Sequence, residues 1–576
     1  MPAAPEPYIP EASQAPERGA RVPPLVDPPS RESATSTSSG DTHGSTVGGD
    51  DGRSAVATLH EAEEEAAGGP GGRDKDLEKG ATKRDSRGSL SDGGVIVVGW
   101  KGDDDPECPL NWPKSRRMLA TICVAGFTLL APLSSSAMAP AALQVAQKLH
   151  ITNEVEIQMS TSIFVLAFAI SPLVFGPASE LFGRIRVLQL ANVLYLIFNL
   201  VCAFATTKSQ FIAFRCFAGF GGGAPLAIGA GVLSDLWRPE ERGKGAALYS
   251  LGPLLGPALG PVIGGWIVQC LPYDGYKWIF WSTTIFSGLI QLLGLIGLRE
   301  TYSPILLRKK AAALKKSMGL PRDSDRVQTS YEAKAGGRRK TPREVVLHGM
   351  LRPFALLAYE PILQLFALYL AVIYGCIYLL LTTMSQLYEG TYGQSTGIAS
   401  LHYIALALGF MIASQGGARL LDVIYRRLKA REHGPGRPEF RLPLVVPASI
   451  SLPFGLLLYG WSAEHRLHWI VPGESYIGLV FIGLGMILVF QASTSYLIDT
   501  FTLHAASALA ASVCLRSICG FAFPLFAPYM FNGIGYGWGC TILAIVTIIV
   551  GCPAAPLLYI FGERIRGMSR NAAKGT

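Results

Sequence analysis

Stretches of about 20 apolar residues recur along the chain from Met118 to Phe561 and are separated by polar segments. A helix of that length crosses a hydrocarbon core of ~30 Å, and a helix satisfies its own backbone polar groups in lipid. The pattern therefore predicts twelve membrane-spanning helices. We expect them at 118–138, 157–177, 187–206, 210–233, 246–270, 278–298, 354–381, 396–416, 442–461, 470–496, 505–527 and 538–561.

The polar, basic segment between the sixth and seventh predicted helices divides them into six and six. Such a layout is typical of a duplicated bundle. The predicted fold is an all-α membrane protein with two pseudo-symmetric six-helix bundles. Its parts are a tail at 1–105, the first bundle at 106–298, a central loop at 299–352, the second bundle at 353–561 and a C-terminal tail at 562–576. The first tail is expected to be disordered, because it is rich in Ser, Gly, Asp and Lys and poor in aromatic residues.

Charged residues make up only 16% of the chain, and Lys and Arg concentrate in alternate loops. Because cytoplasmic loops are enriched in Lys and Arg, we expect both termini and the central loop to be cytoplasmic. We attribute the net charge of +8 to these loops rather than to nucleic-acid binding. The ten cysteines form no Cys-x-x-Cys pair, so no metal site or disulfide framework is indicated.

The loop between spans 2 and 3 carries a short motif of glycines and charges, in which Gly176, Glu180, Gly183, Arg184 and Arg186 are the candidate functional residues. Glycine permits tight turns and close helix contacts. Glu180 precedes Arg184 by four residues, which is within pairing distance on a helix.

Arg215 lies inside the fourth predicted span. An Arg at such a depth costs about 2.5–3.5 kcal/mol on insertion scales and is a candidate functional residue, here expected to border a central cavity. The alternative is a structural Arg that bonds backbone carbonyls. Arg516 in span 11 is a second candidate, for which a structural role is equally open.

Span 5 repeats glycine every fourth residue and contains three prolines. The glycines make one smooth helix face, while prolines remove backbone donors, which together suggest a helix that slides or bends against a partner. The candidate residues of this motif are Gly252, Gly256, Gly260, Pro261, Gly264 and Gly265.

These three stretches resemble the signature loop, the span-4 arginine motif and the span-5 antiporter motif of the major facilitator superfamily. Residues 109–113, 300–304, 505–508 and 523–526 are similar to the fungal branch of its 12-span drug:proton antiporters. The resemblance covers about 105–568 and implies alternating access, with export of drugs, toxins or secondary metabolites driven by protons. It also implies that Arg215 takes part in proton coupling.

Other classes of function lack their motifs. No Gly-x4-Gly-Lys-[Ser/Thr] loop for an ATP-driven pump occurs, and no His-Glu-x-x-His metal motif of an enzyme. We therefore expect no enzyme activity and no cofactor, and a monomer that acts on a small molecule and protons within the bilayer. A membrane sensor that does not transport remains an alternative. The plasma membrane is the expected location, with the vacuolar membrane as the alternative.

The substrate is expected to be a small lipophilic or cationic compound, with polyamines as the alternative. A dication needs carboxylates in the cavity, because an unpaired buried charge is costly. Glu360, predicted about two turns into span 7, is the one acid expected well inside the membrane. A single carboxylate suits a proton or a monocation, so we predict a role in proton coupling for Glu360. The alternative is an acid near a helix start that is favoured by the helix dipole.

The duplication predicts a further feature. If spans 4 and 10 are equivalent, the charges at their ends and in the preceding loops should form matching clusters. The predicted clusters are Glu180 with Arg184 and Asp235, and Asp422 with Arg426 and Asp499. Each cluster is expected to hold a loop against a helix end in one state and release it in the other.

Overall fold

The computed structural model describes residues 95–102, 104–238, 241–321, 324–334, 341–432, 436–466 and 471–569. The described residues belong to one compact unit, Gly52–Thr576. Most of the predicted N-terminal tail and the end of the C-terminal tail lie outside the described residues.

The first bundle consists of eight helices, since spans 1 and 4 are each accompanied by a second helical piece. They are α1 (Lys114–Ser136), α2 (Ala142–Lys148), α3 (Glu154–Phe182), α4 (Arg184–Cys202), α5 (Lys208–Gly222), α6 (Ala224–Leu236), α7 (Arg242–Cys270) and α8 (Gly275–Gly297). Helices α5 and α6 follow each other around Gly223 and together form span 4.

The central segment carries α9 (Ser303–Ser317), α10 (Ser330–Lys334) and α11 (Pro342–Tyr359). The second bundle consists of α12 (Pro361–Gly390), α13 (Thr396–Leu401), α14 (Tyr403–Glu432), α15 (Val445–Glu464), α16 (Val471–Thr500), α17 (Ala505–Gly551) and α18 (Ala554–Met568). Short 3-10 turns lie at Pro109–Asn111, Pro438–Leu444 and Thr502–His504.

Ten helical stretches of the described chain are long and apolar enough to cross a membrane. The last, Ala505–Met568, is 64 residues long and is interrupted at Gly535, where φ is 78°, so it contains two crossings. The shorter apolar helix Leu255–Cys270 within α7 adds one more. The described helices therefore supply the twelve predicted spans, and the all-α fold with two six-helix bundles is confirmed.

The boundary of span 7 differs from the prediction. The sequence predicted a helix over 354–381, but α11 ends at Tyr359 and α12 begins at Pro361. Glu360 between them is extended, with φ −108° and ψ 102°. The reason is local, because the residue before a proline is disfavoured in the helical region.

Part of the predicted tail and central loop is ordered. Strand β1 (Ile96–Val98) pairs in parallel with β2 (Val327–Thr329). Apolar β-branched residues favour this pairing, and Val327 is fully buried. The prediction of a disordered tail up to residue 105 is therefore wrong for its last residues, which pack against the central segment.

Candidate functional site

The first predicted charge cluster is assembled around a helix break. Helix α3 ends at Phe182, Gly183 follows with a φ of 106° that favours glycine, and α4 begins at Arg184. The Arg184 side chain therefore points back across the bundle, and its Nε lies 2.6 Å from Oδ2 of Asp235 at the end of α6. Glu180 adds a negative charge within electrostatic range of Arg184. The structure thus brings the three predicted residues together.

The cluster also includes residues that the sequence did not indicate. The Arg184 backbone N–H donates to Glu300 Oε1 at 3.0 Å, and the Thr301 hydroxyl donates to Asp235 Oδ2 at 3.2 Å. The Arg184 guanidinium lies 4.8 Å from the ring centroid of Tyr302. The segment after span 6 is therefore fixed to the loop between spans 2 and 3. These residues lie in the stretch that carried the family resemblance, but no spacing rule linked them to Arg184.

The other residues of the loop motif have simpler surroundings. A Cβ added at Gly183 would overlap the Glu300 carboxylate, so glycine is required there for space as well as for conformation. A Cβ at Gly176 would meet nothing within 4 Å, so the expected close helix contact at Gly176 is wrong. Arg186 is exposed in the first turn of α4. We call the end of the bundle that carries Arg184, Asp235 and Glu300 the basic face.

The second predicted cluster contains a different arginine. Arg441 Nε lies 2.9 Å from Asp499 Oδ2, and its Nη1 lies 3.4 Å from Asp422 Oδ1. The prediction that Arg426 makes this contact is wrong. Helix α14 continues unbroken past Asp422 to Glu432, so Arg426 stays on its own helix instead of following a turn as Arg184 does. The arginine comes from the 3-10 turn that begins span 9.

On the basic face of the second bundle, an ion pair joins the 3-10 turn before span 9 to the helix end that follows span 12. Arg566 in α18 donates from Nε and Nη2 to the two carboxylate oxygens of Glu439, each at 2.9 Å. Both side chains are buried, with 6% exposure each. A bidentate pair of this kind fixes geometry strongly. The sequence did not indicate this pair, because Arg566 lies in the segment predicted to be the C-terminal tail.

Arg215 is completely buried within the first bundle. Its guanidinium donates to three backbone carbonyls, those of Ser134 at 3.3 Å, Ser160 at 3.4 Å and Thr161 at 3.3 Å. It also lies 4.7 Å from the ring centroid of Phe164. The expectation that Arg215 borders an open cavity is wrong, since the side chain has no exposed surface. Arg215 instead joins span 4 to spans 1 and 2.

The glycines of span 5 pack directly on span 1. A Cβ at Gly252, Gly256, Gly260 or Gly264 would press on successive residues of the segment Ala125–Ala137. At Gly260 it would overlap Ser136 Oγ, and at Gly264 the carbonyl oxygen of Ala137. Helix α7 is continuous through the buried Pro261. The structure thus places these four glycines on one face, as the repeat predicts.

Gly265 faces the other bundle. A Cβ there would overlap Ser400 Oγ in α13. In a neighbouring contact the second bundle supplies the glycine, since the Gly397 backbone N–H donates to Gln269 Oε1 of α7 at 2.7 Å. The two bundles are therefore closely packed where span 5 ends and span 8 begins, at the end opposite the basic face.

Glu360 is buried but does not lie where the sequence predicted. It stands at the start of α12, on the basic face, and accepts a hydrogen bond from the hydroxyl of Ser569. The prediction that it lies two turns inside span 7 is wrong, because the helix restarts at Pro361. It therefore contacts the C-terminal segment.

The centre of the bundle carries aromatic and hydroxyl groups around Arg516. Its guanidinium lies 4.9 Å from the ring centroid of Tyr374 and 5.0 Å from that of Phe490. The three residues lie near the middle of spans 11, 7 and 10 and are only half-buried. Next to them, Tyr378 shares a hydrogen bond of 3.2 Å with Ser135 of span 1. This group therefore lies where the two bundles meet.

Comparison with known proteins agrees with this architecture. The sequence profile of the Major Facilitator Superfamily matches residues 124–524. Efflux pump vrtL of Penicillium aethiopicum is 44% identical over 86% of this chain and 96% of its own length. The MFS-type transporter penM of Penicillium rubens is 38% identical over 83% of this chain and 92% of its own. Efflux pump radE of Floropilus chiversii is 36% identical over 83% and 86%.

Among solved structures, the xylose transporter XylE from E. coli, in a partially occluded inward-open conformation, has the same fold. The TM-score is 0.55 at 16% sequence identity, over 80% of this chain and all of XylE. The likeness at this identity concerns the fold alone. Together with the matching profile and the fungal relatives, it leads to one conclusion. The chain belongs to the Major Facilitator Superfamily and is a multi-pass membrane transporter.

Proposed function

We propose that this transporter exports small lipophilic organic compounds, such as drugs, toxins or secondary metabolites, by proton antiport with alternating access. The observation that carries the proposal is the 44% identity, over 86% of this chain and 96% of the relative, to a protein named an efflux pump. The span-5 motif adds support, because the resemblance stated above links it to antiporters.

The proposed conformational change is a rocking of the two bundles around the central group of residues. Each bundle has an ion pair on the basic face, Arg184 with Asp235 and Arg441 with Asp499. Such contacts have two discrete arrangements, formed and released, and can bias the inward–outward equilibrium. The Gly–Ser contact between Gly265 and Ser400 would open when the other end closes.

Arg215 is the proposed coupling residue. Its partners are neutral carbonyls, and no carboxylate of the described residues lies within hydrogen-bond distance to neutralise its charge. A nearby positive charge disfavours protonation of another group, so a conformational change that alters the distance between them changes that group's affinity for protons. Protons are therefore the proposed driving ion, and the basic face with both termini is proposed to be cytoplasmic. The plasma membrane and a monomeric state complete the proposal.

Polyamine export is the alternative substrate assignment. It requires carboxylates near the centre of the membrane, because a dication is costly to bury without partners. In the described spans, Asp and Glu lie close to helix ends or, as Asp422 does, in an ion pair with Arg441. This distribution favours the first assignment.

The test uses a fungal strain that lacks the transporter and carries the wild-type chain or Arg215→Lys. The guanidinium of Arg215 donates to three carbonyls from a planar fork, which a compact ammonium cannot reproduce. We expect the wild-type chain to lower the intracellular level of a toxin from a panel that includes polyamines, and Arg215→Lys to reach the membrane but export less. If the wild type lowers no compound, the export proposal fails. If the Lys variant exports normally, only the coupling role fails.

A further inference from the structure

Arg516 occupies an unusual position for a charged side chain. It lies near the middle of span 11, between the rings of Tyr374 and Phe490, at 4.9 and 5.0 Å from their centroids. Aromatic faces stabilise a guanidinium through cation–π contacts. They also leave the edge of the guanidinium, which carries its N–H donors, free to meet a third group.

Those donors have no partner within the described part of the chain. No hydrogen bond or ion pair joins Arg516 to another described residue, and its Nε is buried without an acceptor. Arg215 shows the contrast, because its guanidinium is satisfied by the carbonyls of Ser134, Ser160 and Thr161. A guanidinium offers five N–H donors in a planar fork. Leaving that fork unpaired at mid-membrane depth is costly unless a ligand pairs with it.

The charged side chains of the described residues at mid-membrane depth around Arg516 are positive. The acids of the described spans lie toward helix ends or, as Asp422 does, pair with Arg441, whereas Arg215 and Arg516 both lie at mid-depth. Tyr378 lies within electrostatic range of both arginines and bridges to Ser135 of the first bundle. The centre therefore combines a positive charge, aromatic faces and hydroxyl groups, and none of the described residues there is a carboxylate that would neutralise a cation.

We propose that Arg516 is a substrate-binding residue and that the exported compounds are organic anions with an aromatic or apolar body. The anionic group, such as a carboxylate, sulfonate or phenolate, would accept two hydrogen bonds from the guanidinium fork. The body would lie against Tyr374 and Phe490, and Tyr378 would supply a hydroxyl. This inference rests on the proposed export function. Within the proposed class of small lipophilic compounds it selects organic anions, and it replaces the cationic compounds expected from the sequence.

The charge of the substrate has an energetic consequence. Moving one elementary charge across the membrane potential is worth about 2.3 kcal/mol per 100 mV. With a potential that is negative inside, an anion leaves the cell downhill, and a proton that enters in exchange moves downhill as well. The membrane potential therefore favours export of an anion and opposes export of a cation.

The test uses two probes with the same aromatic body and opposite charge, 2-naphthalenesulfonate and 2-naphthylmethylammonium. The sulfonate stays ionised at every working pH, so it does not cross the bilayer as a neutral acid. Binding is measured by the thermal stabilisation of the full chain in detergent, and transport is measured in proteoliposomes. The variants are Arg516→Gln, Arg516→Lys and the control Arg308→Gln, which removes a charge from the central segment, where Arg308 is half exposed.

We expect the wild type and Arg308→Gln to bind and transport the sulfonate in preference to the ammonium. Arg516→Gln should weaken sulfonate binding at least tenfold, and Arg516→Lys should weaken it less. Preference for the ammonium, or unchanged sulfonate binding by Arg516→Gln, would overturn the anion assignment while leaving export intact. Binding that depends on Arg516 without any transport would support the site and overturn the export function. If the wild type neither binds nor transports the sulfonate, the anion assignment is overturned.

Discussion

The guanidinium of Arg184, at the start of α4, is ion-paired with Asp235 at the end of α6, with 2.6 Å between Nε and Oδ2. The second bundle repeats this relationship with Arg441 and Asp499 at 2.9 Å. In each bundle an arginine at the start of the third span holds an aspartate at the end of the fourth. The repeat is consistent with a duplicated architecture in which both halves use the same contact on the basic face.

Removing Arg441 should destabilise the second bundle. Arg441→Gln leaves Asp499, which is nearly buried, without its cation, and breaking a buried pair in this way costs on the order of 3 kcal/mol. Arg426→Gln is the matched control, because Arg426 lies one turn from Asp422 but makes no ion pair with it within the described chain. Thermal unfolding in detergent measures the difference. Equal loss of stability in the two variants would contradict the assignment of Arg441.

Removing both aspartates of the two ion pairs should change the conformational equilibrium. Asp235→Asn together with Asp499→Asn weakens the contact in each bundle while keeping the side-chain volume. We expect greater access of a membrane-impermeant reagent to cysteines placed on the basic face, and a lower rate of transport. Unchanged accessibility and unchanged transport in the double variant would show that these pairs do not act as a switch.

The contact between spans 1 and 5 should tolerate no side chain at Gly260. Gly260→Ala places a Cβ against Ser136 Oγ and the carbonyl of Leu133. Overpacking of this kind costs about 1–3 kcal/mol. Gly176→Ala is the control, since a Cβ there meets nothing within 4 Å. Thermal stability and transport should fall for Gly260→Ala and stay unchanged for Gly176→Ala, and equal behaviour of the two would contradict the packing role.

The stability of the contact between the segment before α1 and helix α9 should depend on pH only under acidic conditions. Burial raises the pKa of the Asp105 carboxyl, but the backbone N–H groups of Lys101 and Glu107 and the ammonium of Lys310 outweigh it and hold the pKa below its ordinary value of 3.8. A lowered pKa stabilises the folded contact above the ordinary pKa, and this stabilisation is lost as the pH falls through the lowered one.

We therefore expect a constant distance between probes at the exposed positions 101 and 316 from neutral pH to about pH 5, and a longer one below the lowered pKa. Asp105→Asn should lengthen the distance at all pH values, because it removes the ion pair of 3.2 Å with Lys310. Separation that begins near neutral pH in the wild type would contradict this account.

The sequence predicted the spans because membrane crossing requires long apolar helices, whatever their partners. It failed where the outcome depends on one local conformation. Pro361 restarts the helix and moves Glu360 to the basic face, and the unbroken α14 keeps Arg426 away from Asp499. The spacing of residues along α14 could not show that Arg441, in the 3-10 turn that follows, is the arginine that pairs with Asp422 and Asp499.

Contacts between residues that lie far apart along the chain could also not be predicted from the sequence. The pair Glu439–Arg566 joins residues separated by 127 positions, and neither residue belongs to a periodic pattern. The pairing of β1 with β2 joins two short segments that composition assigned to a tail and a loop. Arg215 was identified as a candidate residue because a charged side chain inside a membrane span costs free energy. Its carbonyl partners, however, depend on how spans 1 and 2 approach it.

The most direct test of the central claim, export by alternating access, is transport by the purified chain in proteoliposomes with an imposed proton gradient. We predict that at least one small lipophilic compound from a fungal metabolite panel moves in the direction opposite to the protons, and that a protonophore abolishes this movement. A folded protein that binds such compounds but moves none of them, under any gradient, would contradict the claim and indicate a membrane sensor instead.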